Sequence, residues 1–248
     1  MTGKLKQISS SRCFNGFQNV MEHFSNVLNC QMKFGIYLPD NDDLTKLPIL
    51  FWLSGLTCTE ENFIIKSGMQ RFASKYKIIV VNPDTKFVPL IFDEYNNLID
   101  KQRCSLFGHS MGGHGTLIIG LKNPHIFSSL SVFSPICNPM KESPNFGYNH
   151  LKAFLGPQTG DNISKWEEYD SVKVASKYEG PKKEILIDQG SKDPFLLDLL
   201  PNNLISISNP NIVWNYRLRE NYDHGFYFIQ TFIEEHFLFH LNFWNKKE

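Results

Sequence analysis

With 248 residues, 42% of them hydrophobic and 20% charged, the chain has the length and apolar content for one α/β domain with a sizeable core. Its 25 Lys and Arg balance 25 Asp and Glu, which argues against a dedicated nucleic-acid or anionic-membrane surface. No apolar run approaches a membrane span, residues 1–7 lack an apolar signal core, and five cysteines without C-x-x-C spacing point to reduced thiols and an intracellular compartment.

In chain order, residues 16–25 and 31–39 read as two strands, the second alternating apolar and polar early on, as an antiparallel edge does. After a polar loop, Leu47-Pro48-Ile49-Leu50-Phe51-Trp52-Leu53 is a short apolar run that predicts a buried strand. The small-residue loop from Ser54 to Thr59 leads into helical spacing over residues 60–76, carried by Phe63, Ile64, Met69, Phe72 and Ala73. Residues 77–84 predict a second buried strand, residues 88–95 two helical turns, and residues 103–107 the next strand. Further strands fall at residues 130–135, 184–188 and 212–217. Residues 138–180 are the least periodic part and read as short helices and loops, with one turn at residues 166–169. Residues 201–208 are helical, and residues 224–243 form a long closing helix with apolar residues recurring at three and four. Strands alternating with helices, without repeat or linker, predict a single α/β domain over residues 1–248: a mostly parallel central sheet with helices on both faces. In such sheets reactive groups gather beyond the carboxyl ends of the strands.

The organising stretch is Phe107-Gly108-His109-Ser110-Met111-Gly112-Gly113. Its Gly108-His109-Ser110-Met111-Gly112 core fits G-x-S-x-G, the nucleophile elbow, with a buried strand before it and a helix after it. A serine on so sharp a turn needs small neighbours two residues either way. The turn lifts the Ser110 hydroxyl out of the sheet and sets the Met111 backbone N–H beside it, at a helix N-terminus where a developing oxyanion is stabilised.

A serine hydroxyl is a poor nucleophile until a base takes its proton, and the base must be oriented by a third group. On this fold the order is Ser, then Asp or Glu, then His. Two candidates for the acid follow the strand at residues 184–188. Asp193, a few residues past the strand end and freed by Gly190, is preferred to Asp188, whose position nearer the strand suits a structural role. The base is expected after the last strand, where His224 stands at the start of the closing helix. His109 is then an elbow spacer, and His114, inside the elbow helix, a supporting group. His236 and His240, one turn apart, lack an acidic third ligand and read as surface or packing residues, so no metal or other cofactor is expected. A second oxyanion donor should come from the loop after the earlier strand; the Leu56 N–H is the candidate, with Gly55 allowing close approach. Cys58 is open between a reactive thiol lining the pocket and a buried small hydrophobe.

At these residues the chain resembles the S-formylglutathione hydrolase (esterase D) family. The matching stretches run nearly end to end: Leu5 to Ser10, Trp52 to Thr59, Phe107 to Gly115, Pro135 to Pro139, Ile187 to Gly190 with Asp193, and Tyr222 to His224. The resemblance implies an α/β-hydrolase fold and a thioesterase of formaldehyde detoxification, releasing glutathione and formate and also cleaving simple esters. It carries Ser110, Asp193 and His224 onto the family's triad, Leu56 and Met111 onto its backbone oxyanion hole, and Cys58 onto a cysteine near the serine. It also implies a cytoplasmic, often dimeric enzyme with a small-molecule substrate and no metal. One departure stands out. Thr85 runs directly into Lys86-Phe87-Val88, where family members carry several dozen further residues, including a Gly- and aromatic-rich loop beside the active site and much of a helix. Residues 85–102 still suffice for a parallel crossover of roughly a dozen residues, so the sheet is expected to survive and the pocket wall not to survive intact. The alternatives are therefore a broad carboxylesterase without glutathione selectivity, or an inactive hydrolase-fold protein.

Overall fold

The structure, a computed structural model, is described over residues 5–26, 29–43, 45–83, 94–141 and 146–246. Nine strands among them form one sheet: β1 (Lys6–Arg12), β2 (Gly16–Ser25), β3 (Cys30–Pro39), β4 (Leu47–Leu53), β5 (Ile79–Pro83), β6 (Ile99–His109), β7 (Leu130–Phe133), β8 (Lys183–Gly190) and β9 (Ile212–Arg219). Their order is β1-β2-β3-β5-β4-β6-β7-β8-β9. From β5 to β9 every neighbouring pair is parallel, and β1, β2 and β3 form an antiparallel arm on the β5 side. This is the α/β-hydrolase arrangement.

The central strands are apolar on both faces because both faces are covered. In β4 all seven residues are buried. Ile49 and Phe51 join one core cluster, with Leu106 of β6, Val132 of β7, and Leu117 and Leu121 of helix α3 (Met111–Lys122). Leu50 and Trp52 join the other, beneath α1 (Glu60–Lys66), α2 (Met69–Tyr76) and the closing helix. Trp52 is fully buried, stacked on Phe63 at 4.1 Å and edge-on to Phe107 at 4.7 Å. Truncating such a side chain to alanine costs about 3–5 kcal/mol.

Residues 60–76 form two helices rather than one. Ser67 caps α1 by donating its hydroxyl to the Phe63 carbonyl at 2.6 Å, and Gly68, with φ of 67°, turns the chain into α2. Strand β1 was not foreseen: its seven residues are exposed and all but Ile8 are polar, so no apolar alternation marks it. The region after residue 138 holds short helices, as expected: α4 (Phe146–Leu155), α5 (Asn162–Glu167) and α6 (Ser171–Ser176). Short helices α7 (Leu196–Leu199) and α8 (Pro201–Ile205) follow β8. The closing helix α9 spans Phe226–Asn245, so His224 lies in the loop just ahead of it. The expected helical turns at residues 88–95 fall mostly outside the described residues.

His236 and His240, open between surface and packing in the sequence, are packing residues: both are fully buried on α9 against β7. Ser129 and Ser131 hydroxyls lie 2.8 Å from the two ring nitrogens of His240, and the Ser131 hydroxyl also lies 2.8 Å from His236 Nδ1. Serines on a buried strand need polar partners, and these histidines supply them. Among the described residues no helix is long and apolar enough to cross a membrane, and no group of three His, Cys, Asp or Glu side chains is arranged to hold a metal ion.

Candidate active site

Strand β6 ends at His109 and α3 begins at Met111, leaving Ser110 alone to make the turn. Its backbone takes φ 57° and ψ −118°, a conformation that costs a non-glycine residue roughly 1–3 kcal/mol. Three backbone hydrogen bonds hold it there. Ser110 N–H donates to the Phe133 carbonyl at 3.0 Å, and the Ser110 carbonyl accepts from His114 N–H at 2.9 Å and Ile136 N–H at 3.2 Å. Close packing makes the glycine necessary at position 112, where a Cβ would run into the Leu53 carbonyl at the end of β4. Met111 is the first residue of α3, so its N–H has no carbonyl one turn back within the helix.

The loop after β4 lies against the same turn: a Cβ on Gly55 would sit 3.4 Å from Ser110 Cβ and 3.2 Å from His109 Nδ1. Leu56 follows, with its side chain half exposed. Leu56, Cys58, Pro83, Met111 and Ile119 line a cleft of about 310 Å³. Burial pushes the half-buried Cys58 thiol up, against a smaller pull from Lys66, so at neutral pH it is a thiol lining the cleft and not a thiolate.

Asp193 and His224 come from the loops after β8 and β9, and the structure joins them: His224 Nδ1 is 2.6 Å from Asp193 Oδ2. The two loops are tied through their backbones. Lys192 N–H donates to the Tyr222 carbonyl at 2.9 Å and Ser191 N–H to the Arg219 carbonyl at 3.0 Å. Gly190 permits this approach, since a Cβ there would strike the Tyr222 carbonyl. Burial alone would raise the Asp193 carboxyl; hydrogen bonds from His224 and the Phe195 amide, with Ser134 close by, outweigh it and hold the group below the usual carboxylate range.

Asp188 has a different task. Fully buried, it accepts bonds from Arg217 at 2.6 Å and 3.0 Å and from Arg219 at 3.1 Å, and His236 Nε2 lies 3.4 Å away. Burial opposes its charge, but these partners prevail and draw it down to about 2. It fastens β8 to β9 and α9 and does not reach His224.

Sequence reasoning passed over three neighbours of this site. His109 is more than a spacer: its ring lies 4.4 Å from that of His224, and burial pushes it down to about 3, which keeps it neutral. The Phe195 ring meets the other side of His224 edge-on at 5.0 Å. Gln189, at the end of β8, donates to Asp193 Oδ2 at 3.0 Å. Only the G-x-S-x-G spacing signalled His109, and nothing local signalled the other two. His114 ties α3 to the loop after β7, its Nδ1 3.0 Å from the Ile136 carbonyl and from the Ser171 hydroxyl.

A serine at a helix start, a histidine held by a carboxylate and a close backbone loop are the parts that acyl transfer through a serine ester requires. The comparisons with known proteins identify the family. The Esterase family model matches residues 25–87 and 85–239. The S-formylglutathione hydrolase of Rattus norvegicus is 43% identical over 286 positions, covering 98% of this chain and 99% of the relative. That of Arabidopsis thaliana is 39% identical, covering 97% and 98%. The structure of the Agrobacterium tumefaciens S-formylglutathione hydrolase superposes with a TM-score of 0.85 at 31% identity, covering 95% of this chain and 98% of that one. The alignment with the rat protein, 286 positions against 248 residues, leaves at least the difference of 38 positions without a counterpart here. The two pieces of the family match overlap at residues 85–87, which places the missing segment at these residues. With its length otherwise matched end to end, the chain belongs to the S-formylglutathione hydrolase family of esterases.

Proposed function

We propose that this chain hydrolyses S-formylglutathione to glutathione and formate through a Ser110–His224–Asp193 triad. One observation carries the reading: a strained elbow serine at the start of α3, in a chain whose His224 is held at 2.6 Å by Asp193. His224 takes the Ser110 proton as Oγ attacks the formyl carbon. The Leu56 and Met111 N–H groups stabilise the tetrahedral oxyanion. The C–S bond breaks, and His224 returns the proton to the departing glutathione thiolate. A water deprotonated by His224 then attacks the formyl ester, releasing formate and restoring Ser110. Asp193 fixes the imidazole tautomer throughout. Formyl is the smallest acyl group, so a shallow site serves it. A cytoplasmic setting accords with five unpaired cysteines, and a homodimer with the family resemblance.

A second reading is a carboxylesterase that has lost selectivity for glutathione. It is favoured by the gap after Thr85, two residues from Pro83, which lines the cleft beside Leu56 and Cys58. The deciding experiment is hydrolysis of S-formylglutathione by the purified chain beside Ser110→Ala, with an aryl acetate as second substrate. Turnover of the thioester by the wild type alone supports the first reading. Turnover of the aryl ester without the thioester replaces it with the second.

A further inference from the structure

We propose that Gln189 and Ser134 form a clamp on the Asp193 carboxylate, and that Gln189 is a positioning residue for the reaction. The inference rests on the triad reading above and extends it to the layer behind Asp193.

The geometry is specific. Gln189 is fully buried at the end of β8, and its Nε2 lies 3.0 Å from Asp193 Oδ2 and 3.1 Å from Ser134 Oγ. Asp193 Oδ2 is the oxygen that faces His224 Nδ1 at 2.6 Å, so Gln189 and His224 share one acceptor. The remaining oxygen, Oδ1, accepts from the Phe195 amide at 2.9 Å. With donors on both oxygens, the carboxylate plane cannot turn away from the imidazole. The amide orientation follows from the charge: reversing it would set Gln189 Oε1 against a carboxylate oxygen.

Two costs mark this arrangement as more than packing. Gln189 Oε1 is buried with no hydrogen-bond partner, a loss that an apolar side chain of the same length would avoid. Ser134, fully buried where the chain leaves β7, is held at φ 40°, in a region that non-glycine residues avoid. Its N–H is fixed by the Asp188 carbonyl at 2.8 Å, which aims the hydroxyl at Gln189. A strained serine backs the half-satisfied glutamine that donates to the Asp193 carboxylate; unsatisfied and strained groups concentrate where function requires them.

The test uses Gln189→Met, Gln189→Glu and Ser134→Ala in the full chain, with an aryl acetate substrate and a fluorophosphonate probe of Ser110. Removing the amide donor in Gln189→Met should lower kcat roughly tenfold at unchanged KM, because the base is less well oriented. Ser134→Ala should shift kcat in the same direction by less. Gln189→Glu is the discriminating variant. Two adjacent carboxyls share one proton at low pH, and the protonated Glu then donates to Asp193 as the amide does. Its activity should approach the wild type near pH 6 and fall towards pH 9 as that proton is lost, a profile that a packing role would not produce. If the variants fold with wild-type kcat, or Gln189→Glu tracks Gln189→Met at every pH, the clamp is overturned. Because the assay needs no thioester, failure of the wild type on S-formylglutathione overturns only the substrate assignment. Absence of Ser110 labelling in the wild type overturns both.

Discussion

Acidification from about pH 7.5 to pH 5 should destabilise this chain from within. His109, His236 and His240 are buried, and burial pushes all three below the ordinary histidine value. Above about pH 6.5 these groups are neutral whether the chain is folded or not, so they add no pH dependence. Below it the unfolded chain takes up protons that the folded chain refuses, and stability falls by about 1.4 kcal/mol per pH unit for a group that, like His109, stays neutral in the fold. The window opens at about 6.5 and closes at the folded values, about 3 for His109. Integrated from 6.5 to 5, His109 alone contributes about 2 kcal/mol of loss, and His236 and His240 add to it in the same direction. Asp188, 3.4 Å from His236, draws that ring towards its charged form and so softens its share of the loss. A domain with a net stability of about 5–15 kcal/mol does not tolerate such a loss easily. The assay is urea unfolding followed by tryptophan fluorescence at several pH values. His240→Gln, which keeps an amide between Ser129 and Ser131, removes one titrating group and should flatten the slope. A urea midpoint unchanged between pH 7.5 and 5, or an unaltered slope in the variant, would refute the reasoning.

Asp193→Asn should reduce kcat roughly 10⁴-fold with little effect on the melting temperature. Asp188→Asn should do the reverse, costing about 3–5 kcal/mol of stability because Arg217 and Arg219 lose their buried partner; the pair is read by kinetics beside thermal melts. Gly112→Ala should abolish labelling of Ser110 even in the soluble fraction, since the new Cβ displaces the end of β4 from the elbow. Cys58 should alkylate more slowly than exposed Cys30 at neutral pH, and its modification should block ester hydrolysis by filling the cleft at Leu56 and Met111, as peptide mapping with a parallel assay would show.

Local chemistry made much of this protein legible from its sequence. Seven apolar residues at β4 can only be a strand buried on both faces, and glycines two places either side of Ser110 are what a tight strand-to-helix turn demands. Chain order pointed to Asp193 rather than Asp188 as the partner of His224, and the two meet at 2.6 Å, because a carboxylate inside a strand end faces the sheet's neighbours while one beyond it is free to meet a loop. What local pattern could not reveal depended on partners distant in the chain. Strand β1 carries no apolar alternation and exists by pairing with β2. His236 and His240 stay open between surface and packing until β7 and the residue before it set Ser131 and Ser129 opposite them. Gln189, one residue from Asp188 in sequence, turns to Asp193 because alternate residues of a strand face opposite ways. Such assignments follow from which side chains share a buried space, and only the packing of β7, β8 and α9 decides that.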